Sequence, residues 1–150
     1  MILSKGYDEK YPSEKDITSF VSLKVYDITD VDELHMSYTV DFKILLKWFD
    51  SRIIFRNLKP SDYENNLDIV EIEKIWTPKL YVEYSHQVYV EAGQKTQDGK
   101  GYVMIHRNGY PKENELSEMD EDYLYPGNEN PIIMVNYLTI KLGCDFDLMW

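Results

Sequence analysis

Residues 38–55 read YTVDFKILLKWFDSRIIF, and their alternation decides the class of fold. The even positions Tyr38, Val40, Phe42, Ile44, Leu46 and Trp48 are all apolar. The odd positions Thr39, Asp41, Lys43, Leu45, Lys47 and Phe49 are mixed. Successive side chains on a strand point to opposite faces, so the stretch predicts one long β-strand with its even face in a core. Its odd face is polar enough to meet solvent or a neighbouring subunit. Trp48, Asp50 and Arg52 then follow at a spacing of two, on one side if the chain stays extended. That brings a carboxylate and a guanidinium together beside an indole, a pairing that pins a strand end.

Before this strand, residues 19–28 alternate and predict a first strand, joined to the long one through an acidic turn at Asp30-Val31-Asp32-Glu33 to make a hairpin. Residues 1–16 read as a polar lead-in. After it, residues 57–66 are dense in turn formers and predict a loop. Residues 67–75 read as a short strand, and Ile75-Trp76-Thr77-Pro78 as a corner or edge, because Pro78 lacks a donor and holds Thr77 extended. Residues 80–90 and 101–105 read as strands around a flexible turn, with a tight turn at Asn108-Gly109. The acidic stretch 111–131 has no period and reads as a long inserted loop. Residues 132–142 alternate again. Short strands, polar turns and little helical signal predict an all-β sandwich or barrel.

The totals bound the function. A chain of 150 residues builds one domain with a real core. A net charge of −11 argues against binding nucleic acid through its phosphates. The excess of carboxylates reads as a solvated surface, ahead of a cationic or Ca²⁺ partner. No run of eighteen apolar residues is present to span a bilayer. The start lacks the apolar core of a signal peptide, which leaves an intracellular protein or a processed product. The lone Cys144 reads as a small buried hydrophobe in a cytosolic protein and as half of a pair in a secreted one. The apolar residues Phe146, Leu148, Met149 and Trp150 close a chain that reads as cut short.

Chemistry is sparse. His35, His86 and His106 lie far apart without zinc-ligand spacing, and no G-x-S-x-G or P-loop occurs, so neither an enzyme, a metal nor a cofactor is expected. The acidic residues 113–122 lack Ca²⁺-loop spacing and read as solvated. Tyr81, Tyr84 and Tyr89 have the chemistry to cage a cation, although strand tyrosines more often pack.

Four stretches taken together resemble one family, the extracellular ligand-binding domain of pentameric Cys-loop receptors, the neurotransmitter-gated ion channels. Asp30-Val31-Asp32-Glu33 resembles the turn between the first two strands. Trp48-Phe49-Asp50-Ser51-Arg52-Ile53 resembles W-x-D-x-R-L, and Ile75-Trp76-Thr77-Pro78 resembles the I-W-x-P that opens loop A. Cys144-Asp145-Phe146-Asp147-Leu148 resembles the start of the signature disulfide loop. The resemblance implies an immunoglobulin-like β-sandwich, here its first six or so strands, truncated within the disulfide loop so that the partner of Cys144 is absent.

It further implies a small-molecule ligand bound between subunits of a homo- or hetero-pentamer. Such a receptor sits in the cell membrane, its binding domain on the extracellular face and its membrane helices outside this sequence. The principal face would use Tyr81, Glu83 and Tyr84, and the complementary face Lys43, Leu45, Met104, Ile133 and Val135. Asp30, Asp32 and Glu33 would transmit gating, and Trp48, Asp50, Arg52, Trp76 and Pro78 would be structural. Glu83 and Lys43 stand where acetylcholine receptors often carry aromatic residues, and Lys79 replaces the aspartate that commonly follows W-x-P. These departures weigh against an aromatic box of the acetylcholine type. The readings that remain beside it are a soluble β-sandwich binding or interaction module and, more distantly, an acidic intracellular inhibitor of a basic protein.

Overall fold

A computed structural model describes residues 1–13, 17–81, 89–90, 101–109 and 123–143. Its strands are β1 (Ile2–Leu3), β2 (Phe20–Asp32), β3 (Ser37–Trp48), β4 (Ile53–Arg56), β5 (Leu80–Tyr81), β6 (Tyr89–Val90), β7 (Gly101–Ile105), β8 (Leu124–Pro126) and β9 (Ile132–Gly143). A 3₁₀ turn (Asp62–Asn65) and a one-turn helix α1 (Ile69–Ile72) are the helical elements among these residues. The fold is an all-β sandwich of antiparallel sheets. One sheet has the order β2-β3-β9-β7, the other β1-β4-β8, and β5 pairs with β6.

The even-numbered stripe of β3 faces the core, as its alternation requires, and the register aligns β9 with it. Leu46 lies opposite Met134 and Trp48 opposite Ile132. Between the sheets, Leu46, Trp48, Val103, Ile105, Ile132 and Met134 pack against Ile53, Phe55 and Tyr125 of the second sheet. Removing side chains of this size from water contributes about 1.5–3 kcal/mol each. A second cluster, Val40, Phe42, Ile44, Leu138 and Ile140, continues along the same face, and Leu80 of β5 packs on it.

The stretch 38–55 is not one strand. β3 ends at Trp48, the chain turns through Asp50, and β4 begins in the other sheet. The turn forms because the Asp50 carboxylate accepts the backbone N–H of Arg52 at 3.0 Å while the Asp50 carbonyl accepts that of Ile53 at 3.2 Å. The break reverses the parity of the core face: Trp48 points inward from an even position, Ile53 and Phe55 from odd ones.

Four further expectations change. Residues 1–16 are not merely a lead-in: β1 pairs with β4, Ile2 opposite Ile54. Residues 67–75 form a helical turn where a strand was expected. Asp68 and Glu71 close a reciprocal capping box, the Asp68 side chain accepting from the Glu71 N–H and the Glu71 side chain from the Asp68 N–H. The acidic stretch 111–131 is not wholly loop, since β8 pairs with β4, Phe55 opposite Tyr125; residues 111–122 lie outside the described ones. Finally, β2 runs on to Asp32, so Asp30 sits within the strand at φ 50°, beside a register shift, and the turn occupies residues 33–36.

Candidate functional site

The odd-numbered face of β3 looks away from the core, and the register extends that face across the sheet. Leu45 lies opposite Val135 and Lys47 opposite Ile133 on β9, while Met104 of β7 lies opposite Ile133 from the far side. Lys43, Leu45, Met104 and Ile133 are half-buried on this outward surface. Val135 shares the face by register but is only 1% exposed, covered by its neighbours, and it belongs to neither core cluster. An outward position therefore does not make Val135 accessible.

The same register brings in four residues that sequence reading missed. Tyr102 lies opposite Val135, Tyr137 opposite Lys43, and Lys24 of β2 opposite Lys43 from the other side. Tyr26 sits at a register shift between Val25 and Asp27, where a bulge re-aims side chains. Its ring reaches across β3 to stack on Tyr137, with centroids 6.5 Å apart and planes at 27°. The Lys24 ammonium lies 4.9 Å from the Tyr26 ring centre and the Lys43 ammonium 5.7 Å from that of Tyr137. Burial raises Tyr102 above the ordinary phenol range, the nearby Tyr137 adding to this and Lys43 opposing it. Stepping two residues from Met104 and from Val135 along their strands would have found Tyr102 and Tyr137. The partnership of Lys24 with Lys43 depends on the hairpin register.

At the other end of the hairpin, Asp32 organises the turn. Its Oδ1 accepts the backbone N–H of Leu34 and of His35, each at 3.0 Å, and its Oδ2 lies 2.6 Å from His35 Nδ1. The contact with His35 holds the Asp32 carboxyl below its ordinary range. Glu33 lies in the turn, and Leu34 at the tip is 92% exposed.

A third group gathers four of the five residues expected to be structural. Asp50 is fully buried and takes Arg52 in a two-pronged pair, Nε to Oδ1 at 2.9 Å and Nη2 to Oδ2 at 2.8 Å. The Tyr7 hydroxyl donates to Asp50 Oδ2 at 3.0 Å and accepts the Trp76 N–H at 2.8 Å. Arg52 stacks 4.1 Å over the Tyr7 ring, and Trp48 meets Trp76 edge to face at 6.3 Å. Tyr7 was not singled out by sequence because nothing local announces a partner 43 residues away. Pro78 is half-buried just before β5.

Of the principal-face residues, Tyr81 has its backbone in β5, while Glu83 and Tyr84 lie outside the described residues, as do His86 and Cys144. His106 follows β7 directly and pairs through Nδ1 with Asp62 at 2.7 Å. No helix among the described residues is long and apolar enough to cross a membrane.

Residues 2–110 match the family described as neurotransmitter-gated ion-channel ligand binding domain. Among curated proteins, the chain is similar to the acetylcholine-gated chloride channel subunit acc-2 of Caenorhabditis elegans, 28% identical over 74 residues, 49% of this chain. It is also similar to the probable ligand-gated ion channel 46 of the same organism, 26% identical over 89 residues, 59% of this chain. Each match spans 17% of the relative's length.

Proposed function

This chain belongs to the family of neurotransmitter-gated ion-channel ligand-binding domains, one of ligand-gated channels and not of enzymes, and from that membership we propose that it binds a small molecule between adjacent subunits of a pentamer on the extracellular face of a cell membrane. The outward face of β2-β3-β9-β7 is the complementary side of that site, and the β2–β3 hairpin tip passes the binding signal toward the pore. The observation that carries this reading is the convergence of Lys43, Leu45, Met104 and Ile133 from three adjacent strands on one outward surface. A monomer has no core reason to place Leu45, Met104 and Ile133 there, whereas an interface does.

The hairpin supports the second half of the proposal. Its turn is held by Asp32 and presents Glu33 and the exposed Leu34 beyond the sandwich. Binding and transduction thus occupy opposite ends of the same two strands, so they separate by mutation. In channels assembled from subunits carrying this domain, Leu45→Arg and Met104→Arg weaken ligand binding. Reversing charge at the tip with Asp32→Lys or Glu33→Lys changes opening more than affinity. Ligand titration of binding and of current in the same cells checks both. Tip variants that lose affinity with unchanged opening, or face variants that bind normally, contradict the proposal.

A further inference from the structure

The turn that follows β7 carries Asn108-Gly109, a pair that neither the core nor the ligand face explains. Both residues are exposed, and Gly109 holds φ at 88°, in the left-handed region that glycine adopts without strain. A β-carbon built on Gly109 would meet nothing within 4 Å, so the space around it is open. Among the described residues no hydrogen bond holds the Gly109 N–H or the Asn108 side-chain amide. The backbone on either side is fixed by contrast. The Asn108 N–H donates to Asn130 Oδ1 at 2.9 Å, and Arg107 Nε donates to the Gly109 carbonyl at 3.3 Å.

We infer that Asn108-Gly109 is a site of spontaneous covalent modification, at which the asparagine converts to aspartate and isoaspartate with water as co-reactant. The Gly109 backbone nitrogen attacks Cγ of Asn108. The N–Cγ bond forms, the Cγ–Nδ2 bond breaks, and the side-chain nitrogen leaves as ammonia with the proton from the Gly109 N–H. Water then opens the five-membered imide. Addition at Cγ gives aspartate, and addition at the Asn108 backbone carbonyl carbon gives isoaspartate, whose main chain runs through Cγ. Either path consumes one water, releases one ammonia and returns a proton to the nitrogen, with no oxidation or reduction. Glycine opens this route because no side chain shields the attacking nitrogen. The Arg107 guanidinium, held on the Gly109 carbonyl, favours the negative charge that develops as that nitrogen loses its proton.

The product changes what the turn holds. Asn130 is 1% exposed and ties the turn to the β8–β9 connection, its Nδ2 donating to the Pro126 carbonyl at 2.9 Å. Arg107 lies 5.2 Å over the Tyr125 ring and reaches the Leu58 carbonyl at 3.3 Å. A carboxylate at position 108 gives Arg107 an anionic neighbour that the amide was not, and isoaspartate adds a carbon to the backbone between two fixed peptide groups.

The test incubates the folded chain at neutral pH and follows its asparagines by peptide mass mapping, which reads the mass gain of NH2 replaced by OH. Enzymatic methylation of isoaspartate is the second readout. Asn128 is the internal reference, exposed in the neighbouring turn but followed by Glu129. Conversion at Asn108 that is several-fold faster than at Asn128, and slowed several-fold by Gly109→Ala, supports the site. The same chain in urea supplies the unfolded rate. A folded chain that keeps its amide at Asn108 while the unfolded chain loses it overturns the inference, because the turn then protects the pair. Conversion no faster than at Asn128, or indifferent to Gly109→Ala, overturns it as well. Circular dichroism establishes that Gly109→Ala is folded, and the comparison with Asn128 is made within the wild type and needs no variant.

Discussion

At the scale of single residues, the turn between the sheets is the most constrained point of the molecule. Asp50 is fully buried and satisfied by Arg52 and Tyr7, and the Tyr7 hydroxyl links that carboxylate to the backbone of Trp76. Burial is the main cause that pushes Tyr7 from 10.0 up to about 12. A phenol whose folded pKa is raised adds stability that is complete below its unfolded pKa and lost as pH rises through the folded one. Tyr7→Phe therefore lowers stability by about 1–3 kcal/mol at neutral pH, because the Trp76 N–H loses its acceptor and the buried Asp50 carboxylate loses one of its donors. Its deficit against wild type narrows between about pH 10 and pH 12, which urea unfolding at a series of pH values reads directly. A deficit that stays constant over that range contradicts the assignment. Gly127 is equally constrained. A β-carbon there would lie 2.2 Å from the Asp50 carbonyl oxygen and 2.9 Å from that of Ile53. Gly127→Ala must move the backbone of the turn, and its cost of about 1–3 kcal/mol or more appears in the same unfolding assay. Wild-type stability would show that the turn yields freely.

At the scale of elements, the hairpin of β2 and β3 is held differently at its two ends. The tip depends on one carboxylate, Asp32, whose acceptor oxygen orders the Leu34 and His35 amides. A carboxyl held below its ordinary range stabilises above its unfolded pKa and loses that contribution as pH falls through the folded one. Asp32→Ala thus removes hydrogen-exchange protection at those two amides and leaves the β3–β9 ladder protected, and acidification to below the ordinary carboxylate range does the same to the wild type. Loss of protection along β3 would show instead that the tip nucleates the whole pair. Legibility follows the same division. The alternation of β3 and β9 was visible because each buries one face in the sandwich. The break after Trp48 was also written in the sequence, as the parity change from even Trp48 to odd Ile53 and Phe55, but a continuous apolar run hides a change of sheet. The helical turn at residues 69–72 was signalled by Asp68 and Glu71 three apart, a capping pattern outweighed by the β-branched residues between them.

At the scale of the whole molecule, the sandwich separates a buried face from an outward one with different chemistry. The inward stripe of β3 and β9 is aliphatic and aromatic apart from the buried Asn136, and the outward surface combines lysines, tyrosines and half-buried apolar groups. Grouping Lys43, Leu45, Met104 and Ile133 came from the family resemblance, and the alternation of β3 and β9 agreed with it at Lys43, Leu45 and Ile133. Adding Lys24 and Tyr26 needed the exact register of β2, including a bulge, which no local pattern announces. The central claim is that this outward face is the one a neighbouring subunit covers. Its most direct test is the thiol-labelling rate of Leu45→Cys in a Cys144→Ser background, compared between assembled and monomeric fractions of the same preparation, with Leu34→Cys at the exposed hairpin tip as the reference. Labelling at position 45 that slows several-fold on assembly, while position 34 stays fast, is the predicted result; equal rates at position 45 in both fractions would contradict it.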